Sequence, residues 1–162
     1  MSDISKVKVF RNRYQKVKNI LLDDVVKKIN HDVDNNQFTG LVYDNDIYEE
    51  KVTMAGLSNY RIGTVDEAYS EVSNDIPEIE TMHLYLSTAK DSKCFDRHKD
   101  KEVVFLVQCI GTMSYGFDDG IIHTLNPGDA LYIPSEVYHK PIVNSQRVTM
   151  SFGLPATYKM EE

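Results

Sequence analysis

The stretch His98-Lys99-Asp100-Lys101-Glu102-Val103-Val104-Phe105-Leu106-Val107-Gln108-Cys109-Ile110-Gly111 decides the fold. An imidazole and a carboxylate stand two residues apart, just before a long apolar run. In a strand, residues i and i+2 share a face. His98 and Asp100 can therefore reach one ion from the rim of a sheet, while Lys99 points away. A second stretch, Gly128-Asp129-Ala130-Leu131-Tyr132-Ile133-Pro134-Ser135-Glu136-Val137-Tyr138-His139, reads as a turn, a short strand, a proline stop and a histidine. Two histidines and one carboxylate form the facial set that holds non-haem Fe(II) and leaves coordination positions open. The expected metal ligands are His98, Asp100 and His139, which are also the expected catalytic centre.

Outward from these stretches the texture is serial hairpins. Met82–Leu86, Val103–Ile110, Thr112–Phe117, Ile121–Thr124, Ala130–Ile133, Val137–Val143 and Arg147–Leu154 read as strands separated by turn signals. Asp118-Asp119-Gly120 closes one hairpin, and Asn126-Pro127-Gly128-Asp129 has proline and glycine where a type II turn requires them. Strands in this order with no helix between them imply a mainly β antiparallel sandwich or barrel of jelly-roll kind.

Upstream, residues 1–81 read as a helical or mixed extension packed on the barrel. Val7–Phe10 suits an edge strand. Val17, Leu21, Val25 and Ile29 recur every four residues, predicting a helix from Tyr14 to about Ile29, capped by Asn12 with Gln15 three positions on. His31 to Asn36 reads as a solvated loop ending that helix. Phe38–Tyr43 suits a strand and Asn45-Asp46 a turn. Thr64-Val65-Asp66-Glu67 has the form of a capping box opening a helix to about Ser73. Residues 157–162 read as a loose tail.

With 162 residues the chain suits one structural domain with a sizeable core. The net charge of -7 argues against nucleic acid or an anionic membrane as partner. The basic run Lys6, Lys8, Arg11, Arg13, Lys16 and Lys18 reads as a solvated helix face. Cys94 and Cys109 form no CxxC pattern and no disulfide framework, and look structural. No signal peptide or spanning segment is visible, so the expected compartment is the cytoplasm.

Taken together, residues 82–156 resemble the JmjC-type, cupin-like oxygenases, and the ribosomal-protein hydroxylase branch in particular. The resemblance rests on His98-Lys99-Asp100 followed by a strand ending in Gln108 and Gly111, on Leu125 to Pro134 followed by His139, on His83 to Ser87, and on Ser151 to Leu154. It implies a double-stranded β-helix, Fe(II), 2-oxoglutarate as co-substrate and C–H hydroxylation. Where that branch carries a cation for the distal carboxylate of 2-oxoglutarate, two residues beyond the glycine matching Gly111, this chain has Met113. Arg147-Val148-Thr149 resembles the Arg-x-Ser/Thr pair of other 2-oxoglutarate oxygenases, and Tyr85 and Ser114 are expected to add hydrogen bonds. Arg147 either faces the barrel interior or stands exposed at its turn, and Lys140 is a weaker candidate. Glu102 is expected near Asp100, His83 toward solvent, and His123 on a hairpin. The substrate expected is a protein side chain or a small molecule, with a homodimer open. Two alternatives stand beside this reading: a metal-binding cupin that does not use 2-oxoglutarate, and a non-catalytic jelly-roll protein serving in binding or assembly.

Overall fold

The structure, a computed structural model, describes residues 3–36, 38–41 and 51–160. In chain order the elements are β1 (Lys8–Phe10), a 3-10 turn (Lys16–Asn19), α1 (Leu22–Asp34), β2 (Phe38–Leu41), β3 (Thr53–Gly56), α2 (Thr64–Asp75), β4 (Thr81–Ser87), β5 (Val103–Ile110), β6 (Met113–Phe117), β7 (Ile122–Leu125), β8 (Ala130–Ile133), β9 (His139–Val143) and β10 (Arg147–Leu154). Two antiparallel sheets face each other. The larger has the order β1-β8-β5-β10-β4-β3-β2 and the smaller β7-β6-β9. This is the double-stranded β-helix, with the helices on the outside of the larger sheet.

Alternation along the strands creates two cores. On the outer face of the larger sheet Val103, Phe105 and Val107 of β5 join Val148, Met150, Phe152 and Leu154 of β10, covered by Val25, Ile29, Val65, Ala68 and Val72 of the two helices. Between the sheets Val104, Leu106, Leu131 and Ile133 meet Met113, Tyr115, Phe117 and Val143. The bounds read for β5, β8 and β10 coincide with those observed. β1 is an edge strand, paired through Val9 and Leu131. The residues beyond Leu41 in the predicted Phe38–Tyr43 strand, and the Asn45-Asp46 turn, lie outside the described residues.

The N-terminal helix differs from its reading. No helix starts at Tyr14. Asn12 has φ 51°, and the chain makes a 3-10 turn, breaks at Ile20 and begins α1 at Leu22, after an uncapped Leu21. The competing partner is α2. Glu71 accepts from the amides of Gln15 at 2.8 Å and Val17 at 3.2 Å, which satisfies them without helical bonds. Leu21 and Val26 consequently stand exposed. The capping box also fails. Gly63 is the N-cap of α2, and Thr64 instead bonds Asp24 of α1 through its amide at 2.8 Å and its hydroxyl at 2.6 Å.

His31 to Asp34 belong to α1. Asp32, expected in a solvated loop, is fully buried and pairs with buried Lys28 at 2.8 Å. Nor is the basic run a helix face: Arg11 pairs with Asp129 and Arg13 with Asp75. The tail is packed as far as Met160, and Tyr132 Oη donates to the Tyr158 carbonyl.

Turns hold the site's strands in register. Gly128 has φ 95°, as the second central position of a type II turn demands. Beside it the Asp129 carboxylate accepts from the amides of Asn12 at 2.8 Å and Asn126 at 2.9 Å, and from Arg11 at 2.9 Å. Burial alone would raise the Asp129 carboxyl, but these donors hold it below the ordinary carboxylate value.

Candidate metal centre

The segment before β5 and the first residue of β9 are joined by a reciprocal backbone bridge. The His98 amide donates to the His139 carbonyl at 3.0 Å, and the His139 amide to the His98 carbonyl at 2.8 Å. The loops are clamped a second time. The Glu136 amide donates to the Asp100 carbonyl at 2.8 Å, Ser135 Oγ to the Lys101 carbonyl at 2.5 Å, and Lys99 pairs with Glu136 at 2.9 Å. Two motifs forty residues apart in sequence thus form one rim.

On that rim the ligand atoms of His98, Asp100 and His139 all lie within 4.8 Å of one another. Asp100 Oδ2 is 3.7 Å from His98 Nε2 and 3.5 Å from His139 Nε2. Bonds of about 2.1 Å at right angles would bring such atoms to about 3 Å, so a small contraction closes the set on an ion. Each histidine has its other nitrogen tied to a carbonyl: His98 Nδ1 to Asp96 at 2.7 Å and His139 Nδ1 to Val137 at 3.0 Å. That assigns the proton to Nδ1 and leaves Nε2 as a lone-pair donor, the arrangement metal-binding histidines use. Burial lowers the His139 pKa, with the charge on His98 adding to the effect, while the Val137 carbonyl and Asp100 oppose it. The neutral, ligating form is favoured.

The triad opens into a cavity of about 230 Å³ between the sheets. Inward residues of paired strands β4 and β10 line it in rows. Arg147 lies opposite Ser87, Thr149 opposite Tyr85, and Ser151 opposite His83. Arg147 is 1 % exposed. Its Nε donates to Ser87 Oγ at 2.8 Å, and Cys94 Sγ lies 3.4 Å from Nη2. Its guanidinium meets no carboxylate at ion-pair distance among the described residues. Tyr85 also lines the cavity, and its hydroxyl makes no hydrogen bond among the described residues. Burial pushes the Tyr85 phenol up against the pull of Arg147, so it stays a proton donor.

The remaining expectations divide. Thr149 is buried beside the cavity and acts behind it, donating to Gln108 Oε1 at 2.7 Å and bonding Tyr115. Ser114 is not part of the site: it faces away on β6, bonded to Thr124 Oγ1 at 2.7 Å and Asn144 Nδ2 at 2.6 Å. Lys140 is exposed, as its neighbour's inward position requires. His83, expected toward solvent, lines the cavity, as does Glu102. His123 packs edge-on against Phe117 at 5.5 Å. Met113 is wholly buried in the inter-sheet core.

Tyr115 and Phe95 line the cavity without having been read into the site, and Cys94, read as structural, lines it as well. Tyr115 shares the inward face of β6 with Met113 by simple alternation, and burial pushes its phenol up to about 12. Phe95 packs against Tyr85 at 5.7 Å and His98 at 5.5 Å, and nothing in a loop sequence signals that.

The family model of the JmjC domain matches residues 116–161. The fold aligns with a crystal structure of the Escherichia coli ribosomal oxygenase YcfD at a TM-score of 0.69 and 17% identity, covering 94% of this chain and 48% of that one. The fold is that of the JmjC-type, cupin-like oxygenases. A structure of YcfD with cobalt and 2-oxoglutarate aligns at a TM-score of 0.67 and 16% identity, with 94% and 48% covered. A Pseudomonas putida prolyl-4-hydroxylase aligns at 0.53 and 8% identity, covering 93% of this chain and 92% of that one. The chain spans about half the length of YcfD. No curated protein matches its sequence. Among the described residues, no helix of this JmjC-type fold is long and apolar enough to cross a membrane.

Proposed function

We propose that this protein is an Fe(II)- and 2-oxoglutarate-dependent oxygenase, with His98, Asp100 and His139 as metal ligands and Arg147 and Tyr85 as the seat of the co-substrate's distal carboxylate. The observation that carries the reading is the buried Arg147 guanidinium, which meets no carboxylate among the described residues and lines the cavity that holds the triad. A buried charge is costly unless it is paired, and a planar fork suits a carboxylate. Arg147 on β10 takes over the role that Met113 cannot perform. The cobalt and 2-oxoglutarate in YcfD and the prolyl hydroxylase of the same fold support the reading.

Iron held by such a set supplies O2 activation coupled to oxidative decarboxylation of a 2-oxo acid. The chain's own contribution is positional. The Asp96 and Val137 carbonyls orient the two imidazoles. Arg147 and Tyr85 fix the far end of the co-substrate by charge-assisted hydrogen bonds. Val104, Leu106 and Phe95 are apolar residues of the cavity wall and limit water. His83, Glu102 and Ser151 mark the end opposite Arg147 along β4 and β10, where the C–H donor would approach. The name ribosomal oxygenase borne by YcfD favours a protein side chain over a small molecule as that donor.

Anaerobic Fe(II) followed by 2-oxoglutarate should produce the visible charge-transfer band of a chelated 2-oxo acid. Metal uptake without the band would replace this reading by a cupin that does not use 2-oxoglutarate, the reading Met113 favours. Absence of uptake would leave a non-catalytic binding protein. His139→Ala should abolish metal uptake while the fold, followed by circular dichroism, persists.

A further inference from the structure

We infer that Cys94 is an oxidative modification site, and that its sulfinate occupies Arg147 and shuts out carboxylate ligands; the inhibitory consequence rests on the co-substrate reading above. Three observations converge. Cys94 Sγ lies 3.4 Å from Arg147 Nη2, inside the cavity. Arg147 is buried and aimed into that cavity, and among the described residues the neutral oxygen of Ser87 is its other hydrogen-bond partner. Cys94 is half-buried and also lines a second, more open groove formed by residues 91–96 and 140–143, which gives a small solute a route to the sulfur.

The two cysteines of the chain contrast sharply. Cys109 sits 1 % exposed in the helix-facing core, and burial pushes its thiol up to about 12. It has neither solvent access nor a cation. Cys94 has both, and reactive cysteines are found in electropositive, partly exposed surroundings.

The oxidant is hydrogen peroxide. The Cys94 sulfur attacks one peroxide oxygen; an S–O bond forms as the O–O bond breaks, and hydroxide leaves to be protonated to water. Sulfur loses two electrons and peroxide gains them, giving the sulfenic acid. A second peroxide repeats the step and gives the sulfinic acid, which ionises. The product places two oxygens that share one negative charge against the Nη edge of Arg147, the edge a carboxylate would use. Among the described residues no triad side chain bonds Cys94, so metal uptake survives.

The test uses the full chain loaded with redox-inert Zn(II). It is treated with hydrogen peroxide, cleared with catalase, mapped by peptide mass and titrated with 2-oxoglutarate. The expected result is a gain of two oxygens on Cys94 and at least a tenfold loss of 2-oxoglutarate affinity, with zinc content retained. Cys94→Ser should keep its affinity through the same treatment. Oxidised Cys94 with undiminished affinity overturns the inference, and so does oxidation confined to Cys109. A second arm does not depend on the co-substrate. Cys94→Asp places a permanent anion beside the guanidinium and should raise the melting temperature of the wild type but not of an Arg147→Met background. A rise in neither or in both overturns the pairing. If untreated protein fails to bind 2-oxoglutarate, the co-substrate reading falls, and the Cys94→Asp arm decides the pairing by itself.

Discussion

The two faces of β10 are both largely buried and do opposite things. Val148, Met150, Phe152 and Leu154 are each 0 % exposed and pack against the helix layer. Between them Arg147, Thr149 and Ser151 point into the space between the sheets. The apolar face pins the larger sheet to the N-terminal helices. The polar face lines or backs the cavity, where a charge is held with neutral neighbours. Burial alone therefore does not mark a residue as structural. What separates the faces is that the polar one holds a buried charge, Arg147, which meets no carboxylate among the described residues.

The largest effect should come from the apolar face. Phe152→Ala opens a cavity under Tyr69 and should destabilise by about 3–5 kcal/mol, seen as a lowered urea midpoint. Loss of stability comparable to a surface substitution would break the contrast. On the polar face, the proposed co-substrate seat predicts that Arg147→Met costs 2-oxoglutarate about 2–4 kcal/mol of binding, on the order of 30- to 1000-fold, because the carboxylate would lose its partner. The melting temperature should hold or rise, since a buried charge is replaced by an apolar side chain.

Next in size is the turn that sets β8 in register. Asp129→Asn weakens three charge-assisted bonds and should cost about 1–3 kcal/mol near neutral pH. The folded carboxyl lies below its unfolded value of about 4. Its contribution is therefore complete above that value and fades as pH falls through the folded pKa. The gap in urea midpoint between wild type and variant should narrow from pH 6 to pH 3. The smallest effect is expected at Glu136, held at φ 65° between the two motifs. Glu136→Gly relieves that conformation but loses the solvent-screened pair with Lys99, so the urea midpoint should move less than in any variant above.

Much of the barrel was legible because its strands alternate strictly between two buried faces. Val103–Ile110, Ala130–Ile133 and Arg147–Leu154 are bounded by turns whose glycine and proline chemistry is local. The spacing of His98 and Asp100 carried their side of the site for the same reason. The N-terminal third resisted because its caps are tertiary. Glu71 takes the amides that would have opened a helix at Tyr14, and Asp24 takes the role Thr64 offered. Alternation also placed Ser114 and Tyr115 on opposite faces of β6 without saying which face was inward.

The sequence by itself determined where the main barrel strands and their turns fall along the chain and which residue types the candidate metal centre offers, since each depends on residue chemistry and a period of two. Tertiary structure alone decided that Arg147 is buried beside Cys94 and Tyr85, that Tyr115 backs the same cavity, and that Ser114 does not reach it. Those facts depend on which residues of distant strands stand opposite one another. Pairing across a sheet and packing between sheets set that, through hydrogen bonds and contacts that no single strand contains.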